Sequence, residues 1–572
     1  MSFLILLSFL SGALEGIGTS AIIPLFAMMG GNGNGGDNMI TKIARQFFDF
    51  IHLPLTLKYL LIFMILIFLI KAGFSFLVSY INIFITANYE NKIRRELFFS
   101  TLIAGWPFLS KQKLGYLEQT LTIDASNSSN LLLHLGGIIP VIVSILVYSF
   151  LAVNVSWVLA ILTLLVGGFI FYFFKPVFFS NRKYAGELAQ INKEASHFVN
   201  ENMLGLKTIK AMHVEGSISK RAYTYFDKIK ILSTKLIIVR SVLNVSMQPI
   251  GLIYIFAIFI FFYKFSTFNL GYFAILVYAI NRIFNQIQTL QGLLHYIVTE
   301  EPYFKSVSQY YRTTEKNIEV DGVKNKFNFG NEIVFKDIDF SYDREQILNN
   351  INFKIKKGEM IGLIGHSGSG KTTIVDLLLR LYRPQKGEIT IDNVDISDIN
   401  LEEWRTHVGY VSQDMFLIND TIENNIKFYN ENLTSENIAN AASQANILDF
   451  IESLPQKFQT VVGERGTMIS GGQRQRIVLA RVLARKPELL ILDEATSSLD
   501  NESEIQIQKV IEGLRGKITV LVIAHRLSTI MNTDKLLVLD GGKISEGGKP
   551  QELLQNKNSY FFKVYNIRNN EA

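Results

Sequence analysis

Between Asp124 and Lys175 the chain carries no Asp, Glu, Lys or Arg. A run that long without a formal charge belongs out of water. It has room for two apolar helices of about 20 residues, the length that spans a bilayer core, joined by a tight turn near Asn154 and Ser156. Four more apolar stretches, at 2–28, 57–88, 236–263 and 268–299, bring the expected crossings to six. Composition agrees, because 49% of the 572 residues are hydrophobic and only 19% are charged. A chain of this length also exceeds one compact core. With no cysteine, disulfides, thiolate metal sites and a cysteine nucleophile are excluded. The net charge of +6 is what basic cytosolic loops would give, and calls for no nucleic-acid partner.

Those loops set the orientation, since Lys and Arg near span ends stay on the cytosolic side. The segment after the second span holds Lys92, Arg94, Arg95, Lys111 and Lys113, and the one after the fourth holds a longer series from Arg182 to Lys230. The opposite loops are nearly bare: Lys42 and Arg45 in the first, beside a Gly- and Asn-rich run at 30–36, and nothing in the second. Both termini are therefore expected in the cytosol. A cleaved leader at 2–28 is disfavoured by the missing basic n-region and by Glu15; the expected first span begins almost at Met1, which leaves an amphipathic lead-in helix unexpected unless the start is misassigned or truncated. The cytosolic segments 89–126 and 179–235 read as membrane helices continuing into water, with turning points near Gly115-Tyr116-Leu117-Glu118 and Leu206-Lys207-Thr208-Ile209-Lys210.

From about residue 330 short apolar runs alternate with Gly-rich turns. A buried strand, Glu359 to Ile364, leads into Gly365-His366-Ser367-Gly368-Ser369-Gly370-Lys371-Thr372-Thr373, a phosphate-binding loop followed by a helix with Ile374, Leu377, Leu378 and Leu381 on one face. Its glycines let backbone N–H groups turn toward phosphate oxygens, Lys371 reaches the β and γ groups, and the Thr372 hydroxyl suits Mg²⁺. A second strand, Leu489 to Leu492, ends in Asp493-Glu494. Acids in that position sit at the carboxyl edge of a parallel sheet, where ligands bind. Asp493 is expected on the metal and Glu494 as the general base for water. Between them Ile469-Ser470-Gly471-Gly472-Gln473 opens another helix, whose amide end and Ser470 hydroxyl suit a γ-phosphate.

Here the chain resembles the ATP-binding cassette family, whose signature is usually Leu-Ser-Gly-Gly-Gln; Ile469 replaces the leucine. The resemblance implies an α-helical transmembrane domain of six helices (1–300), a linker (301–330), and an α/β P-loop NTPase cassette domain with a helical subdomain (331–572). It implies further roles. Tyr342 resembles the aromatic that stacks on adenine, and Gln413 the glutamine that contacts Mg²⁺ and water. Asp500, in Ser498-Leu499-Asp500, resembles the loop linking two sites, and His525 the switch residue on the γ-phosphate. Six spans before one cassette look like an exporter-type half-transporter, and Gly463-Glu464-Arg465-Gly466 resembles a loop of that group. The resemblance implies ATP and Mg²⁺ as cofactors, pairing with a second copy or a homologous half-transporter, and a multi-pass location in the inner (cytoplasmic) membrane with the cassette in the cytosol. An importer or a nucleotide-gated channel has the same outline.

Cargo has to be read from polar residues within the spans, which are costly to insert. Glu15, Lys71 and Arg282 stand out. Two readings are open. Either Lys71 and Arg282 line a cavity suited to phosphate or pyrophosphate, or they snorkel toward the interface or pair internally with Glu15. The first reading is similar to bacterial flippases for lipid-linked oligosaccharides and implies an amphipathic or lipid-linked substrate. Export of drugs or mature hydrophobic peptides is the alternative.

Overall fold

The computed structural model describes residues 2–29, 39–155, 157–265, 270–321, 325–343, 345–493, 501–523 and 527–570. Two compact units divide between Ile318 and Glu319, with residues 105–107 grouped with the second.

Among the described residues, the chain up to Lys316 forms helices and no named strand: α1 (Ser2–Ser20), α2 (Ile22–Met29), α3 (Met39–Phe50), α4 (Leu57–Leu102), α5 (Trp106–Leu109), α6 (Leu114–Gln119), α7 (Ala125–Val155), α8 (Trp157–Leu204), α9 (Leu206–Met212), α10 (Glu215–Phe265) and α11 (Leu270–Lys316). The 46 residues of α4 make a rod about 70 Å long at 1.5 Å per residue, more than twice the hydrocarbon thickness of about 30 Å. Its apolar half turns Ile65, Leu69 and Phe76 outward, as a lipid-facing surface does. Residues 301–316 of the expected linker are the end of α11.

Each expected span falls on these helices, with instructive differences. The first is broken at Ala21 into α1 and α2, because Pro24 has no N–H for the Ser20 carbonyl and its ring crowds that oxygen. The helix α8 bends by 44° between Ala160–Pro176 and Ser180–Leu204, again at a proline. By length and apolar composition, four helices among the described residues can cross a membrane, or five with this bent pair. The expected sixth, α11, falls short on composition, since Asn281, Arg282, Asn285, Gln286 and Gln288 interrupt it. It is buried in the bundle through Ile280, Ile283 and Phe284, a setting in which polar residues are tolerated because other helices surround them.

The first turning point is shifted. The chain reverses around α5, ahead of Gly115, which lies in α6. A Cβ on Gly115 would come within 2.4 Å of the His197 Cα. The glycine therefore serves a close crossing of α6 on α8, a signal that looks like a turn in sequence. The second turning point is the short helix α9, stopped by His213 at a left-handed φ of 52°. At the start of α7, after a π-helical turn at Thr120–Asp124, Asp124 is fully buried. It accepts from Ser306 at 2.7 Å and pairs with Lys193 at 3.2 Å, tying α7, α8 and α11 together.

The second unit holds two sheets. Strands β1 (Glu332–Tyr342), β2 (Glu345–Lys356), β4 (Lys386–Ile391) and β5 (Val394–Asp395) form an antiparallel sheet in the order β2-β1-β4-β5. The other runs β10-β9-β3-β8-β7-β6, with β3 (Met360–Gly365), β6 (Val408–Val411), β7 (Leu489–Asp493), β8 (Thr519–Ile523), β9 (Lys535–Asp540) and β10 (Lys543–Gly548). From β9 to β6 it is parallel, with β10 antiparallel at the edge. Both faces are covered, which is why its strands read as continuous apolar runs.

Successive residues of each strand enter different cores. Leu489, Ile491, Leu521 and Ile523 pack with β1, β2 and helix α12 (Lys371–Leu378). Leu490, Leu492, Val520 and Val522 pack with a helical layer. That layer includes α14 (Ile422–Lys427), α15 (Ser435–Gln444), α16 (Leu448–Ser453), α17 (Gly471–Leu483), α18 (Asn501–Leu514) and α21 (Tyr560–Asn570). The remaining helices are α13 (Leu401–His407), α19 (Leu527–Met531) and α20 (Pro550–Gln555).

Candidate active site

The parallel register decides where the chemistry collects. Leu363 of β3 faces Ile523 of β8, Asp493 of β7 faces the same Ile523, and Val411 of β6 faces Leu492. Four strands thus end at one edge. The loop 366–370 leaves β3 there, and Gln413 lies exposed just beyond β6. Glu494, Asp500 and His525 lie outside the described residues, as do Ser498 and Leu499. The strands that lead toward them, β7 and β8, end at this edge.

The expected loop residues stand together. Gly368 and Gly370 have φ of 79° and 105°, open to glycine at little cost. A Cβ on Gly365 would lie 2.2 Å from the Leu539 carbonyl oxygen. Ser367 is exposed, Lys371 is buried, and Thr372 and Thr373 occupy the first turn of α12, the former exposed. The Lys371 ammonium donates to the carbonyls of Gly365 and His366, both at 2.9 Å, so its charge lies inside the turn of the loop. Backbone amides of the loop and first turn, with this ammonium, make a cradle for phosphate oxygens.

Tyr342 is placed by a residue that sequence reading missed. Its hydroxyl donates to Asp376 Oδ2 at 3.1 Å, and its ring meets Phe340 and Tyr382 edge-on at 4.8 and 5.1 Å. Burial pushes the Tyr342 hydroxyl up to about 12 and raises the Asp376 carboxyl as well. The signal was there: Asp376 is the one acid of the apolar helix Lys371–Leu378.

No group of three or more His, Cys, Asp or Glu able to hold a metal occurs among the described residues. Mg²⁺ needs none, since it binds through one or two carboxylates together with phosphate and water oxygens. The exposed Thr372 hydroxyl and the Asp493 carboxylate, at the end of β7, fit that donor set. Asp493 is 6% exposed, and the Tyr410 hydroxyl approaches its Oδ2 at 3.5 Å.

Ser470 begins α17 as a reciprocal cap. Its Oγ accepts the Gln473 N–H at 3.2 Å, and the Gln473 side chain accepts the Ser470 N–H at 2.9 Å. The amides at this helix start are thus less bare than the sequence suggested, yet the Ser470 hydroxyl proton stays available, since a hydroxyl accepts and donates at once. Gly472 has a packing reason, because a Cβ there would lie 2.2 Å from Ser503 Oγ of α18. Gly471 precedes it in the first turn. The signature helix α17 packs in one core and the phosphate helix α12 in the other, so they flank different faces of one sheet. A glycine at an N-cap costs only a few tenths of a kcal/mol, whereas alanine costs about 1 kcal/mol. S470A should therefore lower the melting midpoint, while S470G should nearly preserve it and still depress ATP hydrolysis. Hydrolysis that merely followed stability across both variants would reduce Ser470 to a cap.

Among the membrane helices, the internal pairing is the reading that holds. Glu15, 5% exposed, meets Lys71 at 3.0 Å and Arg282 at 3.4 Å, and accepts from the Tyr148 hydroxyl. Arg282 also donates to the Tyr278 hydroxyl at 3.1 Å. Lys71 and Arg282 thus share the Glu15 carboxylate, and both side chains stay partly exposed. The cluster still keeps one formal positive charge in excess.

Two family models cover most of the chain. The ABC transporter transmembrane region matches residues 1–291, and the ABC transporter model matches 348–497. The chain belongs to the ABC transporter family. This transporter is 31% identical to an ATP-dependent lipid A-core flippase of Syntrophus aciditrophicus, over 88% of its own length and 85% of the relative's. It is 30% identical to the heterocyst differentiation ATP-binding protein HepA of Nostoc sp., over 82% and 78%. A solved bacterial Atm1-family ABC exporter with ATP bound shares the fold, with a TM-score of 0.82 over 99% of this chain and 97% of that one, at 24% identity. The transporter is therefore a multi-pass membrane ATPase coupled to transport. It has the half-transporter arrangement, one transmembrane region and one ATP-binding domain in a single chain.

Proposed function

We propose that the transporter exports or flips an amphipathic anionic substrate, such as a lipid-linked oligosaccharide or another anionic lipid, across the inner membrane, working as a homodimer with its ATP-binding domains in the cytosol. The observation that carries the cargo class is the surplus positive charge of the Glu15, Lys71 and Arg282 cluster. Lys71 and Arg282 keep 24% and 37% of their side chains accessible, so a phosphate oxygen can share them with Glu15. The printed names of several relatives, lipid A-core flippases, support the same class.

The layering of the ATP-binding domain supports the dimer. With α12 and α17 on different faces of one sheet, the signature turn of one copy is free to close the phosphate cradle of another. In this reading Tyr342 stacks on adenine, the loop amides and Lys371 hold the phosphates, and the partner's Ser470, Gly471, Gly472 and Gln473 cap the γ-phosphate. Thr372, Asp493 and Gln413 would hold Mg²⁺, which supplies charge neutralisation across the phosphates. Glu494 takes a proton from the attacking water, His525 orients on the γ-phosphate, and Asp500 links the paired sites. ATP favours the closed dimer by its differential affinity, and hydrolysis resets it.

Purified transporter in liposomes tests the cargo. ATPase activity should rise with polyprenyl-pyrophosphate sugars or anionic lipids, and the rise should weaken in R282Q. Stimulation confined to amphipathic drugs or peptides would reverse the assignment.

A further inference from the structure

The start of α21, the last helix of the ATP-binding domain, is held at several points. Ser559 is 1% exposed, and Phe561 is fully buried in the core that also takes Met360 and Ile364 of β3. Glu546, on the edge strand β10, accepts from the Ser559 hydroxyl at 2.5 Å and from the Tyr560 N–H at 2.7 Å. Ser559 Oγ in turn accepts the Phe561 N–H at 3.0 Å. Tyr560 lies between two fixed neighbours, and its ring meets the His366 imidazole edge-on, with centroids 4.8 Å apart and planes at 66°.

His366 is the first residue of the phosphate loop after β3, and its carbonyl does two things there. It accepts the Ser369 N–H at 3.2 Å, closing the first turn, and it accepts from the Lys371 ammonium at 2.9 Å. A side chain that is held in place constrains the backbone beneath it, so a ring packed on the imidazole steadies that carbonyl. We infer that Tyr560 is a positioning residue for ATP. Its ring, delivered by Glu546 and Phe561, orients His366 and through it the loop that receives the phosphates. The inference rests on the assignment of residues 365–373 as the phosphate cradle.

The test uses the full-length transporter in liposomes and reads KM for ATP, kcat and equilibrium ATP binding. Aromatic ring pairs of this kind are worth enough to change binding by about 3- to 10-fold. Y560A should raise KM and weaken ATP binding by about that factor with kcat little changed, and Y560F, which keeps the ring, should restore wild-type values. H366A should match Y560A. The double variant H366A/Y560A should be no worse than the worse single change, as for residues acting through one contact. Independent, multiplying effects in the double variant, an unchanged KM in Y560A, or a Y560F as impaired as Y560A would overturn the inference. Should Y560A not fold, a wild-type KM in H366A overturns it equally. K371A run alongside separates the two levels: binding lost in K371A but normal in Y560A sinks only the role of Tyr560. Binding retained in K371A sinks the cradle itself.

Discussion

Replacing Glu494 by Gln is expected to lower steady-state ATP hydrolysis by about 10²- to 10⁴-fold, the usual contribution of a positioned general base, while ATP binding persists. The reasoning is one of separable tasks. In the proposed reading phosphate is received by the loop amides and by Lys371, whose ammonium already sits within the turn, and the substitution leaves all of these residues in place. Gln keeps the size of Glu, and the strand before it is fixed on both sides by β6 and β8. A radiolabelled-nucleotide binding assay beside a phosphate-release assay reads the split. D493N is the companion, expected to raise the Mg²⁺ concentration needed for binding and turnover together. An E494Q protein that hydrolyses at the wild-type rate would move the base elsewhere.

The second large effect is on stability. E15A removes the carboxylate that, among the described residues, pairs with both Lys71 and Arg282. Breaking a buried pair from one side costs about 3–5 kcal/mol, because the charges left behind lose their partner. Partial exposure of both bases, 24% and 37% of their side chains, puts the expectation toward the lower end. It should appear as a clear fall in the thermal midpoint of the detergent-solubilised protein. Removing the orphaned charges as well, in a triple variant with K71M and R282M, should recover much of it. A single E15A variant melting with the wild type would show that the cluster carries no structural weight.

How far the sequence could be read depended on how local each signal was. The phosphate loop, the signature turn and the strand ending in Asp493 are short motifs whose geometry comes from neighbouring residues, and they stand where the spacing put them. The spans followed from apolar runs, except where composition and burial part company. The helix carrying Arg282 is polar enough to fail a test by composition, yet it buries Ile280 and Ile283 in the bundle. Long-range partners were invisible. Glu15 and Arg282 are 267 positions apart by number, and nothing local distinguishes a salt-bridged arginine from a cavity arginine. Gly115 looked like a turn because a glycine needed for close helix contact and one needed for a bend are the same letter. Tyr342 was found by resemblance, but the Asp376 that anchors it needed the fold.

The length of α4 has a mechanical consequence. It is one continuous helix of 46 residues without an internal proline, so it behaves as a lever. Tilting a rod about 70 Å long by about 10° about one end sweeps the other through about 12 Å. A shift of a few ångströms among contacts close to a pivot would therefore be magnified several-fold at the other end of the rod.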